Sequence, residues 1–186
     1  MSRLVLYGSG HPSRSSSVTE EIDSASGAIQ YRWVPMTPDF MAEAQRQSRT
    51  SIGVGNYDAF IQSILRCRGL QTVLFFGHGG ANELKFGETS RIDPAFISVR
   101  SNDLSRSFMS GGRILLYACG TGASPTFLAA LASSWRVTVC GISSGLKWCI
   151  KWNADRNSIT YRGIDRAHYN IPWESINLPQ CGICSS

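Results

Sequence analysis

Apolar residues in this chain come in short runs separated by glycine and polar turns. Leu4-Val-Leu-Tyr7 is the first run, closed by Gly8-Ser9-Gly10. Thr72 to Phe76 and Ile114 to Tyr117 are denser, and Val137 to Cys140 is a fourth, ending at Gly141. Short, nearly continuous apolar runs bounded by turn signals fit strands that are buried on both faces. Between them the period changes. Phe60, Ile61, Ile64 and Leu65 share one helical face, so a helix is expected from Asn56, its cap, to about Cys67, with Gly69 ending it. Phe127, Leu131 and Trp135 recur every four residues, widened by Leu128 and Ala132; Ser124 suits the cap and Pro125 the first turn. A third helix is expected from Pro38 to about Ser48, with Phe40, Met41 and Ala44 on one side.

The remaining segments carry weaker patterns. Residues 11–27, rich in serine, glycine and charge, read as a surface loop. Ile29 to Val34 alternates and predicts a second strand. Ala81 to Phe86 suggests a small hairpin. Ile92 to Ile97 and Asn102 to Met109 suggest short helices or turns, and Gly111-Gly112 a break before Ile114. Ser158 to Arg162 reads as a late strand and the tail after Pro172 as irregular. Strand, helix, strand, helix, strand predicts an α/β fold. The expected architecture is a three-layer sandwich with a mostly parallel central sheet. With 186 residues, one domain over 1–186 is expected, continuing into a C-terminal extension from about residue 146.

Composition narrows the classes. Hydrophobic residues at 42% and charged residues at 17% are globular proportions. The net charge of +5 is spread along the chain without a run of Lys or Arg, so no nucleic-acid partner is expected. The N-terminus enters Leu4 directly, without a basic region and long apolar stretch, so no cleaved leader is expected. No segment approaches the roughly 18 apolar residues of a membrane span, so no membrane partner is expected either. Cys67, Cys119 and Cys140 lie in or beside apolar segments, as reduced thiols do. Cys181-Gly-Ile-Cys184 has the spacing of a redox or metal pair but stands without a second pair, and tail cysteines without a role are the simpler reading.

Chemistry concentrates at the ends of two runs, Phe75-Phe76-Gly77-His78-Gly79 and Leu116-Tyr117-Ala118-Cys119-Gly120. Both would be strand carboxyl ends, where open α/β sheets bind ligands. Histidine exchanges protons near neutral pH and a thiolate is a strong nucleophile, so His78 and Cys119 form a candidate base–nucleophile pair. A helix start after Cys119 would help ionise the thiol. Backbone N–H groups of Gly79 and Cys119 are candidate oxyanion donors. His11 follows the first strand and could reach the same cleft, although a surface-loop histidine is the plainer account. Asp93 and Asp103 are candidate partners for orienting His78. Gly8-Ser9-Gly10 lacks the spacing of a phosphate cradle, and Glu83 and Glu88 near His78 lack a metal-binding pattern, so neither cofactor nor metal is expected.

In these paired His-Gly and Ala-Cys blocks the chain resembles the caspase-like superfamily of cysteine peptidases, which includes caspases, legumain, gingipains, clostripain and self-processing toxin domains. The resemblance covers mainly residues 72–145, with Leu4 to Gly8 as a first strand. It implies a His78–Cys119 dyad cleaving protein or peptide substrates through an acyl-enzyme. It also implies a small hairpin near Leu84 to Phe86, and a specificity wall near Ile142 to Trp148 with Ser143, Ser144, Lys147 and Trp148 as substrate-binding candidates. Against the caspase signature Gln-Ala-Cys-(Arg/Gln/Gly)-Gly, Tyr117 replaces Gln and Thr121 replaces the final Gly, which sets the chain apart from caspases proper. The expected setting is the cytoplasm, or delivery as an effector or toxin without a cleaved leader, with an activating partner or cognate inhibitor. A non-enzymatic binding module and another cysteine-dependent acyl hydrolase or transferase remain the alternative readings.

Overall fold

The two most apolar runs lie side by side at the centre of one sheet. In the computed structural model, residues 2–12, 17–22, 29–34, 36–143, 148–153, 158–164 and 174–176 are described. The central strands are β1 (Arg3–Gly8), β4 (Ser51–Val54), β5 (Leu70–Phe76), β9 (Phe108–Tyr117), β10 (Thr138–Gly141) and β13 (Glu174–Ile176), in the order β13-β10-β9-β5-β1-β4. The first five are mutually parallel; β13 closes the β10 edge antiparallel. The fold is α/β, a mostly parallel sheet between two helical layers, as the pattern predicts.

Alternation within each strand explains why both faces are apolar. Leu4 and Leu6 of β1, Val73 and Phe75 of β5, and Ile114 and Leu116 of β9 enter one core with Phe60, Leu131 and Trp135. These come from α2 (Tyr57–Leu65) and α4 (Pro125–Trp135). Val5, Leu74, Phe76 and Tyr117 point to the other face, against Phe40 and Ala44 of α1 (Thr37–Gln47). Each buried residue of this size contributes about 1.5–3 kcal/mol, so the sheet is held from both sides.

Local signals set the helix starts. Asn56 Oδ1 accepts the Ala59 N–H at 2.8 Å, and Ser124 Oγ accepts the Phe127 N–H at 3.3 Å. At α1 the buried Asp39 carboxylate takes the Met36 N–H at 2.8 Å, closing a cap on a residue without a polar side chain of its own. Asn56→Ala is expected to cost about 1 kcal/mol, read as a shifted urea midpoint with an unchanged m-value.

Three expectations are corrected, and one strand is new. Within the segment read as a loop, β2 (Ser17–Ile22) pairs antiparallel with β3 (Ile29–Val34), a hairpin outside the central sheet. The short edge strand β4 carries no apolar run and is unforeseen. Gly111-Gly112 does not break the chain: β9 runs through it, and Gly112 is bare because a Cβ would lie 2.7 Å from the Phe108 ring and 2.9 Å from the Leu70 carbonyl. The tail after Pro172 supplies β13, where backbone pairing with β10 needs no apolar pattern. Further strands are β6 (His78–Gly80), β7 (Glu83–Lys85) and β8 (Arg91–Ile92), which form a small sheet, and β11 (Trp148–Asn153) with β12 (Ser158–Ile164). The short helix α3 spans Pro94–Val99.

Candidate functional site

Strands β5 and β9 end level with each other, Phe76 opposite Tyr117 in parallel register. The Gly77 N–H donates to the Tyr117 carbonyl at 3.2 Å and ties the two tips together. Beyond Gly77 the chain folds back as the β6–β7 hairpin, with His78 opposite Lys85. The small hairpin expected after the histidine is therefore present, and His78 is its first residue.

After β9 the chain turns through Ala118, Cys119 and Gly120, whose φ of 67° is left-handed and favours glycine. Thr121 is fully buried and its hydroxyl donates to the Ala118 carbonyl at 3.0 Å. The Gly122 N–H donates to the Ile142 carbonyl at 2.9 Å and pins the turn to the end of β10. The turns touch: a Cβ at Gly79 would lie 2.7 Å from Thr121 Cγ2, 2.9 Å from Ala118 Cβ and 3.3 Å from the Cys119 carbonyl. Cys119 is half-buried and packs on the cluster that contains Phe40, Phe76 and Tyr117. The His78 ring stands edge-to-face with Phe40, centroids 4.9 Å apart at 90°. Both candidate residues thus border the α1 side of the sheet.

His11 belongs here too, which corrects its reading as a surface-loop histidine. It is 8% exposed, and its ring is 4.7 Å from that of His78 at 85°. Tertiary closure buries it. The Thr37 hydroxyl donates to the His11 carbonyl at 2.8 Å. The Gly10 N–H donates to the Phe86 carbonyl at 3.1 Å, and the Glu88 N–H returns to the Gly10 carbonyl at 3.2 Å. A Cβ on Gly87 would lie 2.7 Å from the Gly10 backbone, so this close approach requires glycine. Beside these residues a cleft of about 530 Å³ is lined by His11, Met36, His78, Gly79, Lys85 and Glu88, among others. Cys119 is not in its wall; the opening lies on the His78 side of the touching turns.

Charges around the cleft are mixed. Lys85 pairs with Glu83 at 3.0 Å, with Arg91 3.9 Å from the same carboxylate, and Glu88 is exposed. Burial, then the nearby His78 and Lys85, lower the His11 pKa from 6.5 to about 4. Burial raises the Tyr117 phenol to about 12, with Arg3 opposing and Glu43 adding to the shift. Tyr117, stacked on Phe76 at 4.7 Å in the cluster under Cys119, is therefore neutral at physiological pH.

The His11 shift has a measurable consequence. The unfolded chain protonates His11 below about 6.5 while the folded chain keeps it neutral down to about 4. Its stabilising contribution is complete above pH 6.5 and is lost as pH falls towards 4. Wild type is expected to lose about 2 kcal/mol more than His11→Phe between pH 7 and 4.5. Urea unfolding of both proteins at both pH values checks this. The difference reports the burial of His11 together with its coupling to His78 and Lys85, which is lost with the imidazole, while Glu83 and Glu88 are common to both proteins; equal losses would refute it.

Several sequence candidates fall elsewhere. Cys119 is separated from α4 by Gly120 and a single 3₁₀ turn, Thr121–Ala123, so it is outside the first turn where the α4 dipole acts. The helix start expected after Cys119 is this 3₁₀ turn, with α4 following at Pro125. Asp93 caps α3 through the Phe96 N–H at 2.9 Å. Asp103 accepts from Ser105 and lies 3.6 Å from Arg136; the Ser105 bonds hold its carboxyl below the usual range. Ser143 is exposed directly after Ile142, the residue that holds Gly122. Trp148 opens β11, and Ser144 and Lys147 lie outside the described residues, as do Cys181 and Cys184.

Phe40 and Thr121 were readable only as core and as a departure from a signature, yet Phe40 packs His78 and Thr121 braces the turn between Ala118 and Gly79. Among the described residues no group of three or more His, Cys, Asp or Glu is arranged to hold a metal. No described helix is long and apolar enough to cross a membrane. No protein-family model matches the chain, no curated protein matches it, and no solved structure matches it.

Proposed function

We propose that the chain is a caspase-like cysteine endopeptidase that cleaves protein or peptide substrates with a His78–Cys119 dyad. The supporting observation is the contact of the two strand-end turns, Gly79 against Ala118 and the Cys119 carbonyl, at the carboxyl edge of a parallel sheet. The Cys119 thiolate attacks the scissile carbonyl carbon and forms a C–S bond while the carbonyl π electrons move to oxygen. Gly79 and Cys119 N–H groups receive that oxyanion. Collapse breaks the C–N bond, and the proton held by His78 passes to the departing amine. Water then adds to the thioester with His78 as base, releasing the acid and restoring the thiol. The mixed charge of Lys85, Glu83 and Glu88 makes the adjoining cleft a place for a polar substrate side chain. The setting we propose is cytoplasmic action, including action inside a recipient cell.

The test is intact-mass analysis after exposure to a panel of peptidyl electrophiles, with wild type and His78→Ala compared. One adduct per chain, mapped to Cys119 and slowed at least about a hundredfold by His78→Ala, supports the dyad. Equal labelling of both proteins, or adducts only at other cysteines, would reject it.

A further inference from the structure

A dyad histidine needs a fixed ring plane, and here rings surround it. His78 meets His11 at 4.7 Å and 85° and Phe40 at 4.9 Å and 90°, while His11 and Phe40 themselves stand 5.6 Å apart. Edge-to-face contacts are the favoured geometry of aromatic pairs, and two of them restrict rotation about the His78 side chain. We infer that His11 and Phe40 form an aromatic clamp that orients His78, making His11 a positioning residue; the inference rests on the dyad reading.

His11 is built into its place rather than laid there. Its carbonyl is held by Thr37 at the start of α1, and its ring lies over bare backbone at Gly8, where a Cβ would be 3.4 Å from both Cδ2 and Nε2. Nε2 is buried without a hydrogen-bond partner. An imidazolium would leave an N–H at that atom unsatisfied, so the ring stays neutral. A neutral ring adds no charge against His78 when His78 takes the Cys119 proton, and aromatic faces attract a cation. Phe40 supplies the second face from α1, fully buried in the cluster on which Cys119 also packs. The two candidate acids, Asp93 and Asp103, are engaged at α3 and at Ser105.

The experiment compares wild type, His11→Phe, His11→Leu and His78→Ala. Two readouts are taken: NMR shifts of the His78 ring protons, and the rate of Cys119 modification by a peptidyl chloromethyl ketone. His11→Leu keeps side-chain bulk but loses the ring. It is expected to remove the His11 share of the ring-current displacement at His78, leaving that of Phe40, and to slow modification about tenfold. His11→Phe restores both to within about threefold. Unchanged shifts and rate in folded His11→Leu overturn the inference. Should His11→Leu fail to fold, Phe40→Leu removes the other ring and is read the same way. A wild-type rate equal to that of His78→Ala overturns the dyad itself. The proton shifts then still report whether the clamp exists, so the two failures are told apart.

Discussion

Cys119→Ala is expected to abolish both covalent capture and peptide hydrolysis while leaving the fold standing. On the proposed mechanism the thiol is the group that forms the acyl-enzyme, and removal of a nucleophile typically costs about a millionfold. The structural cost is small by comparison. Cys119 is half-buried, at the rim of the cluster rather than in it, so its truncation should change stability by no more than about 1 kcal/mol. Cys67→Ala is the matched control. Cys67 is also half-buried, donates to the Ser63 carbonyl at 3.5 Å and lies after α2, away from the strand tips, so its loss leaves hydrolysis unchanged. Turnover that survived in Cys119→Ala would move the reaction to another site. The assay is release of a fluorescent amine from peptides, paired with a melting curve for each variant.

The second large effect is expected at Gly122. A methyl group there would overlap the Gly141 carbonyl oxygen and lie 2.7 Å from the Gly141 carbonyl carbon and 2.9 Å from that of Ile142. All three atoms are backbone at the end of β10 and cannot rotate aside. The reverse approach is equally tight, since a Cβ on Gly141 would lie 2.7 Å from the Gly122 nitrogen. Gly122→Ala therefore has to separate the Cys119 turn from β10 and break the Gly122–Ile142 hydrogen bond. A loss of about 3 kcal/mol or more is expected, with Cys119 labelling slowed even in the fraction that remains folded. Gly111→Ala isolates this cause. Gly111 has a φ of 75° but nothing within 4 Å of its missing Cβ, so it should cost only about 1–2 kcal/mol and spare Cys119. Equal urea midpoints for the two variants would rule out the packing explanation.

Legibility followed burial. β1, β5, β9 and β10 are covered on both faces, which is why their sequences are nearly continuous in apolar residues and why strands of a mostly parallel sheet could be inferred. Hairpin strand β2, Ser-Val-Thr-Glu-Glu-Ile, lies outside the central sheet and carries the charge of a loop. β4 is four residues long at the end of the described sheet, and two of them are exposed, so it had no apolar signature to show. The adjacency of the His78 and Cys119 turns was legible because two equivalent strands with one excursion between them tend to pair. The burial of His11 was not legible. It depends on Thr37, 26 positions away, and on the Gly10–Gly87 approach, contacts that leave no local periodicity. Its place just after β1 was the one available hint.

The backbone staple at Gly10 also governs how the cleft opens. Gly10 N–H to Phe86 O and Glu88 N–H to Gly10 O join the loop carrying His11 to the hairpin carrying Lys85. Neither bond can part without loosening the other, because both run through the same residue. Amide exchange at Gly10 and Glu88 should therefore proceed as one event with one opening free energy. A bulky substrate that widens the cleft would raise both exchange rates together, giving a label-free gauge of cleft width in solution.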